Sequence, residues 1–232
     1  MIDMALLNST CTVQTKHCEC FDLLTPEQRE LLESKQVTAN YKRGEIIAKQ
    51  GVFATHLMYL DQGLAKVYLE DGEDTLILKI TGGGSLIGLT ALGSENDKFE
   101  YTVSSYQEST VKLIDIQTFK KLLLENGAFA TKIIQFMGEN ANQINRRFFC
   151  MVNLQSYGKL ADLLLCLAGA VFKSNRFELL LSRKELAELA GLSTESVIRL
   201  LKDFRKDKLI DIQGKIFEIK NPEGLRRIFQ NG

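Results

Sequence analysis

The stretch 181-LSRKELAELAGLSTESVIRLLKDFRKDKLI-210 constrains this chain more than any other. Ser182 with Glu185 three residues later is a capping box that starts a helix, and Leu186, Leu189 and Ala190 give that helix a short apolar face. Gly191 stops it, because a left-handed C-terminal residue costs glycine least, and Ser193 caps the next helix. In the second helix Val197, Leu200, Leu201 and Phe204 point inward, which leaves Thr194, Glu195, Ile198, Arg199 and Lys202 outward. Two short helices joined by a small-residue turn, with Ala187 allowing close approach, form a helix-turn-helix. The residues that follow, 209-LIDI-212, 213-QGK-215 and 216-IFEIK-220, predict a hairpin and therefore a winged version of that motif.

A major groove admits one α-helix, whose exposed N-terminal side chains then meet base edges. A glutamate accepts from a cytosine amino group and an arginine donates twice to guanine, so Glu195 and Arg199, one turn apart, suit neighbouring base pairs. Taken alone, the two residues would be an i,i+4 surface ion pair worth ~0.3–0.5 kcal/mol. Their place in the second helix of the motif decides for DNA, as do Ser182, Arg183 and Lys184 at the first helix's start, where phosphates lie. From Ser156 onward, 14 of the 29 basic residues meet only 10 of the 29 acidic ones. A basic back half behind an acidic front half is the balance of a nucleic-acid module fused to something else.

The front half has a different texture. Between Val37 and about Ile116, short apolar runs such as 57-LMYL-60, 64-LAKVYL-69 and 76-LILKI-80 are separated by Gly44, Gly51, Gly63, Gly72 and the triplet Gly82 to Gly84. Such spacing predicts a compact antiparallel β-roll or barrel. A long helical pattern then runs from about Ala128 to Asn153. Ile134, Met137, Ala141, Ile144, Phe148 and Met151 recur along it at steps of 3, 4, 3, 4 and 3. At about 26 residues, or ~39 Å, it exceeds what one domain's core needs, so part of the seam should face a second copy of the chain. The expected layout is an α+β chain: a tail over 1–20, a β-roll over 21–127, a dimerisation helix over 128–155 and a winged helix-turn-helix over 156–232. No run approaches the ~20 apolar residues of a membrane span and the N-terminus lacks the marks of a signal peptide, so a cytoplasmic protein without membrane contact is expected. Five cysteines, an odd number without an export signal, are expected to be reduced.

From about Phe21 to Lys220 the chain resembles the Crp/Fnr family of bacterial transcription regulators. The resemblance rests on the helix-turn-helix segment above, with its Glu-x-x-x-Arg pattern, and on 42-KRGEIIAKQGVFATHLMYLDQGLAKVY-68, which is similar to the opening of the family's sensory β-roll. It implies a homodimer on a near-palindromic double-stranded DNA site, with RNA polymerase as a further partner. By position, Glu195 and Arg199 are implied base readers, and Ser182 and Arg183 phosphate contacts. Thr194 stands where the cyclic-AMP receptor protein has an arginine, and Ile198, where that branch has a small residue, suits a thymine methyl.

In the sensor the resemblance weakens. The pocket implied by position comprises Gly88, Leu89, Thr90, Glu100, Tyr101 and Thr102, with Ile144 and Asn145 on the long helix. Leu89 holds the place of the family's ribose-binding glutamate, Phe99-Glu100 the place of its phosphate-binding Arg-Ser pair, and Ile144-Asn145 the place of its adenine-binding Thr-Ser pair. An acid repels a phosphate, so cyclic AMP is not expected and the effector is unidentified. The cysteine-rich 11-CTVQTKHCEC-20 leaves two readings. One is an iron–sulfur or zinc site drawing on Cys11, His17, Cys18 and Cys20. The other, preferred, is a tail with incidental thiols, because the oxygen-sensing branch spaces its cysteines differently and takes its fourth from a position where Lys112 stands. A histidine-ligated haem has only His17 and His56 to draw on. An enzyme is not expected: there is no nucleophile elbow, and Gly82 to Gly84 lack the Lys-Ser/Thr of a P-loop. The other class considered is a small-molecule-binding module whose winged helix contacts protein.

Overall fold

The computed structural model describes residues 18–72, 74–93 and 97–231. Cys11 and His17 lie outside them. The described chain falls into two compact units, 18–141 and 142–231.

The first unit opens with a short 3-10 turn and helix α1 (Pro26–Ser34), which starts at a Thr25 N-cap: the hydroxyl accepts the Gln28 N–H at 3.3 Å. Eight strands follow: β1 (Gln36–Tyr41), β2 (Ile46–Ala48), β3 (His56–Gln62), β4 (Leu64–Asp71), β5 (Asp74–Gly82), β6 (Ser85–Ile87), β7 (Thr102–Ser105) and β8 (Ser109–Asp115). They form two antiparallel four-stranded sheets, ordered β1-β8-β3-β6 and β2-β7-β4-β5. Leu57, Leu60, Val111 and Ile114 of one sheet join Ala48, Ala65, Val67 and Val103 of the other in a single apolar core. This is a roll closed by side chains from both inner faces. Helix α2 (Ile116–Glu125) adds Phe119 and Leu122 to the same core, and Phe129 and Ile133 from the start of α3 (Gly127–Asn153) complete it.

The second unit contains the end of α3, then α4 (Ser156–Cys166), a π turn (Leu167–Val171), β9 (Arg176–Glu178), α5 (Arg183–Ala190), α6 (Thr194–Lys206), β10 (Ile210–Gln213), β11 (Ile216–Ile219) and α7 (Pro222–Asn231). The expected hairpin is present, with Gln213 opposite Ile216, and it gains β9 as a third strand in the order β10-β11-β9. Leu160, Leu164, Leu186, Val197, Leu200, Phe204, Phe217 and Leu225 are fully buried. The Phe172, Phe177 and Phe217 rings stack at 4.3 and 5.5 Å. Among the described residues no helix is long and apolar enough to cross a membrane.

The expectation of reduced cysteines fails. Cys18 and Cys20 form a disulfide, with Cα atoms 5.4 Å apart, where reduced thiols were expected. The chain entering the 3-10 turn at Cys20 brings the two Cα atoms to a spacing that a disulfide spans. Both sulfurs are thereby committed to each other, and Cys166 is likewise disulfide-bonded rather than reduced. Cys150 is a free, buried thiol, as the sequence suggests, and burial with the nearby Asp162 carboxylate raises its pKa to about 11.

Candidate nucleic-acid interface and effector pocket

Ser182 caps α5 reciprocally. Its hydroxyl accepts the Glu185 N–H at 3.1 Å, and its own N–H donates to Glu185 Oε2 at 2.8 Å. As acceptor in that bond, the hydroxyl keeps its proton for an anion beyond the helix end. Lys184 is exposed beside it and Arg183 half-buried. Helix α5 ends at Gly191, left-handed at φ +63°, and a Cβ there would lie 2.8 Å from the Met151 methyl. Gly191→Ala therefore meets both backbone strain and a clash. It should cost about 1–2 kcal/mol of stability, read as a lower midpoint in urea unfolding at unchanged slope.

Ser193 then accepts the Ser196 N–H at 3.1 Å and starts α6. Val197, Leu200, Leu201 and Phe204 are buried on its inner face, while Glu195, Ile198, Arg199 and Lys202 are exposed and Thr194 is half-buried. Among the described residues Glu195 and Arg199 make no ion pair with each other. The backbone N–H at the helix start and the Ser193 hydroxyl hold the Glu195 carboxyl below the ordinary carboxylate range. It is thus an acceptor at neutral pH.

The far end of α6 is tied down. The Tyr157 hydroxyl of α4 donates to Asp203 at 2.7 Å, and Arg205 pairs with Asp211 of β10 at 3.3 Å. In the wing, Lys215 pairs with Glu178 at 3.8 Å. Anchored polar groups at one end and open ones at the other make a helix that can be pushed into a groove without rearranging.

On α3, Ile134 and Phe148 are 68% and 69% exposed, and Met137, Ala141 and Ile144 are exposed with them. Met151, the last expected member of the seam, packs against Gly191 instead, and Val152 takes the exposed place at 62%. The sequence spacing missed Val152 because steps of 3 and 4 both continue a helical stripe. Asn145 is exposed on the same helix.

In the first unit, the residues proposed as an effector pocket divide. Gly88 is left-handed at φ +96°, its N–H donates to the Tyr101 hydroxyl at 3.0 Å, and a Cβ on it would touch the Phe99 ring at 3.2 Å. Leu89 is buried, whereas Thr90 and Glu100 are exposed. Burial pushes the Tyr101 phenol up. The Thr102 hydroxyl is occupied elsewhere: it donates to Glu70 at 2.5 Å and accepts the Gln50 N–H at 3.1 Å, beside the Lys49–Glu70 ion pair. A phenylalanine ring packed on Gly88 and an exposed acid next to it do not fit a cyclic nucleotide's phosphate. Sequence reading also passed over three polar residues of the inner wall, Lys79, Thr81 and Ser105. The signal for them was a lysine inside the apolar run 76-LILKI-80. Among the described residues no cluster of three or more metal-ligating side chains occurs.

Two family comparisons meet this architecture. Residues 38–126 match the cyclic nucleotide-binding domain, and residues 158–228 match the Crp-like helix-turn-helix domain. The chain belongs to the Crp/Fnr family. It is similar to the anaerobic regulatory protein of Bacillus subtilis, at 26% identity over 203 residues, covering 84% of this chain and 85% of that protein. It is 25% identical over 179 residues to the cAMP-activated global transcriptional regulator CRP of Salmonella typhimurium, covering 75% and 85% of the two chains. The fold matches a solved Crp/Fnr-family putative transcriptional regulator from Eubacterium rectale with a TM-score of 0.76 at 16% identity, over 91% of this chain and 98% of that one. The chain is accordingly a Crp/Fnr transcription regulator, with a helix-turn-helix domain for DNA and a domain of the cyclic nucleotide-binding type. The Crp/Fnr family is one of transcription regulators, and its helix-turn-helix members bind DNA as dimers.

Proposed function

We propose that this regulator binds, as a homodimer, a near-palindromic double-stranded site and responds to an effector held in its β-roll. Each α6 enters a major groove, with half-sites ~34 Å apart. Arg199 reads guanine, Glu195 accepts from a cytosine amino group, and Ile198 and Thr194 lie against neighbouring base edges. Ser182, Arg183, Lys184, Ser193 and Lys202 hold phosphates. The observation that carries the reading is the open N-terminal half of α6, where Glu195 and Arg199 stand exposed and unpaired with one another.

The apolar stripe Ile134, Met137, Ala141, Ile144, Phe148 supports pairing of two α3 helices, so we assign 128–155 to dimerisation, 21–127 to sensing and 156–232 to DNA. The effector pocket is assigned around Gly88, Leu89 and Tyr101, with RNA polymerase as a protein partner and the cytoplasm, where the DNA is, as the place of action.

Salt titration of DNA affinity tests the reading. Six to ten phosphate contacts make log K fall against log salt with a slope of about −5 to −9. A flat response would show that the winged helix does not grip DNA phosphates and would favour a protein partner instead.

A further inference from the structure

The inner wall of the sheet β2-β7-β4-β5 carries polar groups where an apolar core needs none. Ala65 of β4 stands opposite Thr81 on one side and Ser105 on the other, and in the next inward row Val67 stands opposite Lys79 and Val103. Directly opposed residues of antiparallel strands point to the same face. Ala65, Val67 and Val103 belong to the core of the roll, so Lys79, Thr81 and Ser105 point into it with them.

The two hydroxyls are deeply buried and uncompensated, and Lys79 is half-buried beside them. Thr81 is 0% and Ser105 3% exposed, and the hydroxyl oxygen of each lacks a hydrogen-bond partner among the described residues. Lys79 has neither an ion pair nor a hydrogen bond among them, and desolvation alone draws its pKa down to about 8. Buried donors without acceptors are costly and are rare in folded proteins. Here two such hydroxyls flank Ala65, about 9.6 Å apart across two strand spacings, and the half-buried Lys79 lies ~6.6 Å along β5 from Thr81.

What the three groups share is a demand for an acceptor. The ammonium carries only donors and each hydroxyl has one to give. A single lysine balances a single negative charge, which fits a monocarboxylate better than a phosphate dianion. Around it Ala48, Ala65, Val67 and Val103 offer an apolar wall suited to a short hydrocarbon body. We infer that Lys79, Thr81 and Ser105 form a subsite for the carboxylate of a small organic acid, and that such acids are the class of effector this β-roll takes. The inference rests on the proposed sensing role of the roll.

The test uses the full-length protein and sodium acetate, with sodium chloride at equal ionic strength as reference. Acetate should raise the melting temperature saturably, and propionate and butyrate should act at lower concentration, as added methylenes meet the apolar wall. Lys79→Met should weaken the apparent affinity at least ~10-fold. That variant should still melt cooperatively, at or above the parent's temperature, since it removes a partly desolvated cation; Lys79→Arg should keep part of the response, and Thr81→Val should lose part of it. No saturable response, or an equal one in Lys79→Met, overturns the subsite; a larger Lys79-dependent response to inorganic phosphate overturns the carboxylate assignment. DNA affinity with and without butyrate separates the two readings. Lys79-dependent binding that leaves DNA affinity unchanged keeps the subsite and removes its sensing role. Failure of acetate to bind removes the subsite and leaves the Arg199-based DNA reading intact.

Discussion

Full-length protein carrying Phe148→Glu should sediment as a monomer in analytical ultracentrifugation and lose about 10²–10⁴-fold in affinity for a palindromic duplex. The size of the effect follows from symmetry. In a twofold interface each residue meets its own equivalent region, so one substitution places two carboxylates in the same apolar seam. Phe148 is 69% exposed in the single chain, so the change removes little from the protomer's own core and acts on association. Ile134, Met137 and Ile144 continue the stripe on α3 and lose their cover with it. Once the two readers are unlinked, each half-site is bound alone and the gain from tethering disappears, which is the source of the predicted range. Unchanged far-UV circular dichroism would show that the fold survived. A persistent dimer would sink the α3 seam as the interface.

The second large effect is at Arg199. Arg199→Ala should cost ~1–3 kcal/mol per half-site on a sequence selected from random duplexes. The dimer presents the residue twice, so the total loss approaches double that figure. Fluorescence anisotropy at fixed salt, run in parallel on the selected site and on a scrambled duplex, reads it out. A base reader loses affinity on the first and little on the second, and relaxes specificity at the guanine it contacted. Equal losses on both would make Arg199 a phosphate contact. Arg199 is exposed and forms no ion pair with Glu195, so its removal breaks no internal bond between them.

The helix-turn-helix was legible because each of its signals is local. The capping box at Ser182 and Glu185, the left-handed Gly191 and the Ser193 cap all act within four residues, and each takes the geometry expected of it. The inward set Val197, Leu200, Leu201 and Phe204 was equally readable, since helical periodicity fixes which side is buried. The sensor was harder because its features depend on strand register. A bulge between Val67 and Tyr68 shifts the partners of β5, so which face Lys79 takes cannot be counted from alternation along 76-LILKI-80 alone. Thr102 illustrates the same limit: its position implied a place in the effector pocket, yet its hydroxyl is spent on Glu70 and Gln50. Met151 was placed on the seam by spacing, and Gly191, distant in sequence, drew it to the helix-turn-helix. The Cys18–Cys20 disulfide escaped because composition speaks to the cell's redox state and not to the local turn.

Arg147, in the last part of α3, donates from Nη2 to the Leu189 carbonyl of α5 at 3.2 Å, one turn from where the Met151 methyl meets Gly191. Helix α3 runs unbroken from Gly127 to Asn153. Within the second unit, the end of α3 and the first helix of the helix-turn-helix are thus clamped at two points. In the proposed complex, a turn of this clamped pair by about 5° over the ~17 Å from the twofold axis to a half-site would displace the reading side chains by ~1.5 Å. A bidentate arginine–guanine contact tolerates far less than that, so an angular adjustment too small to alter either fold would suffice to engage or release DNA.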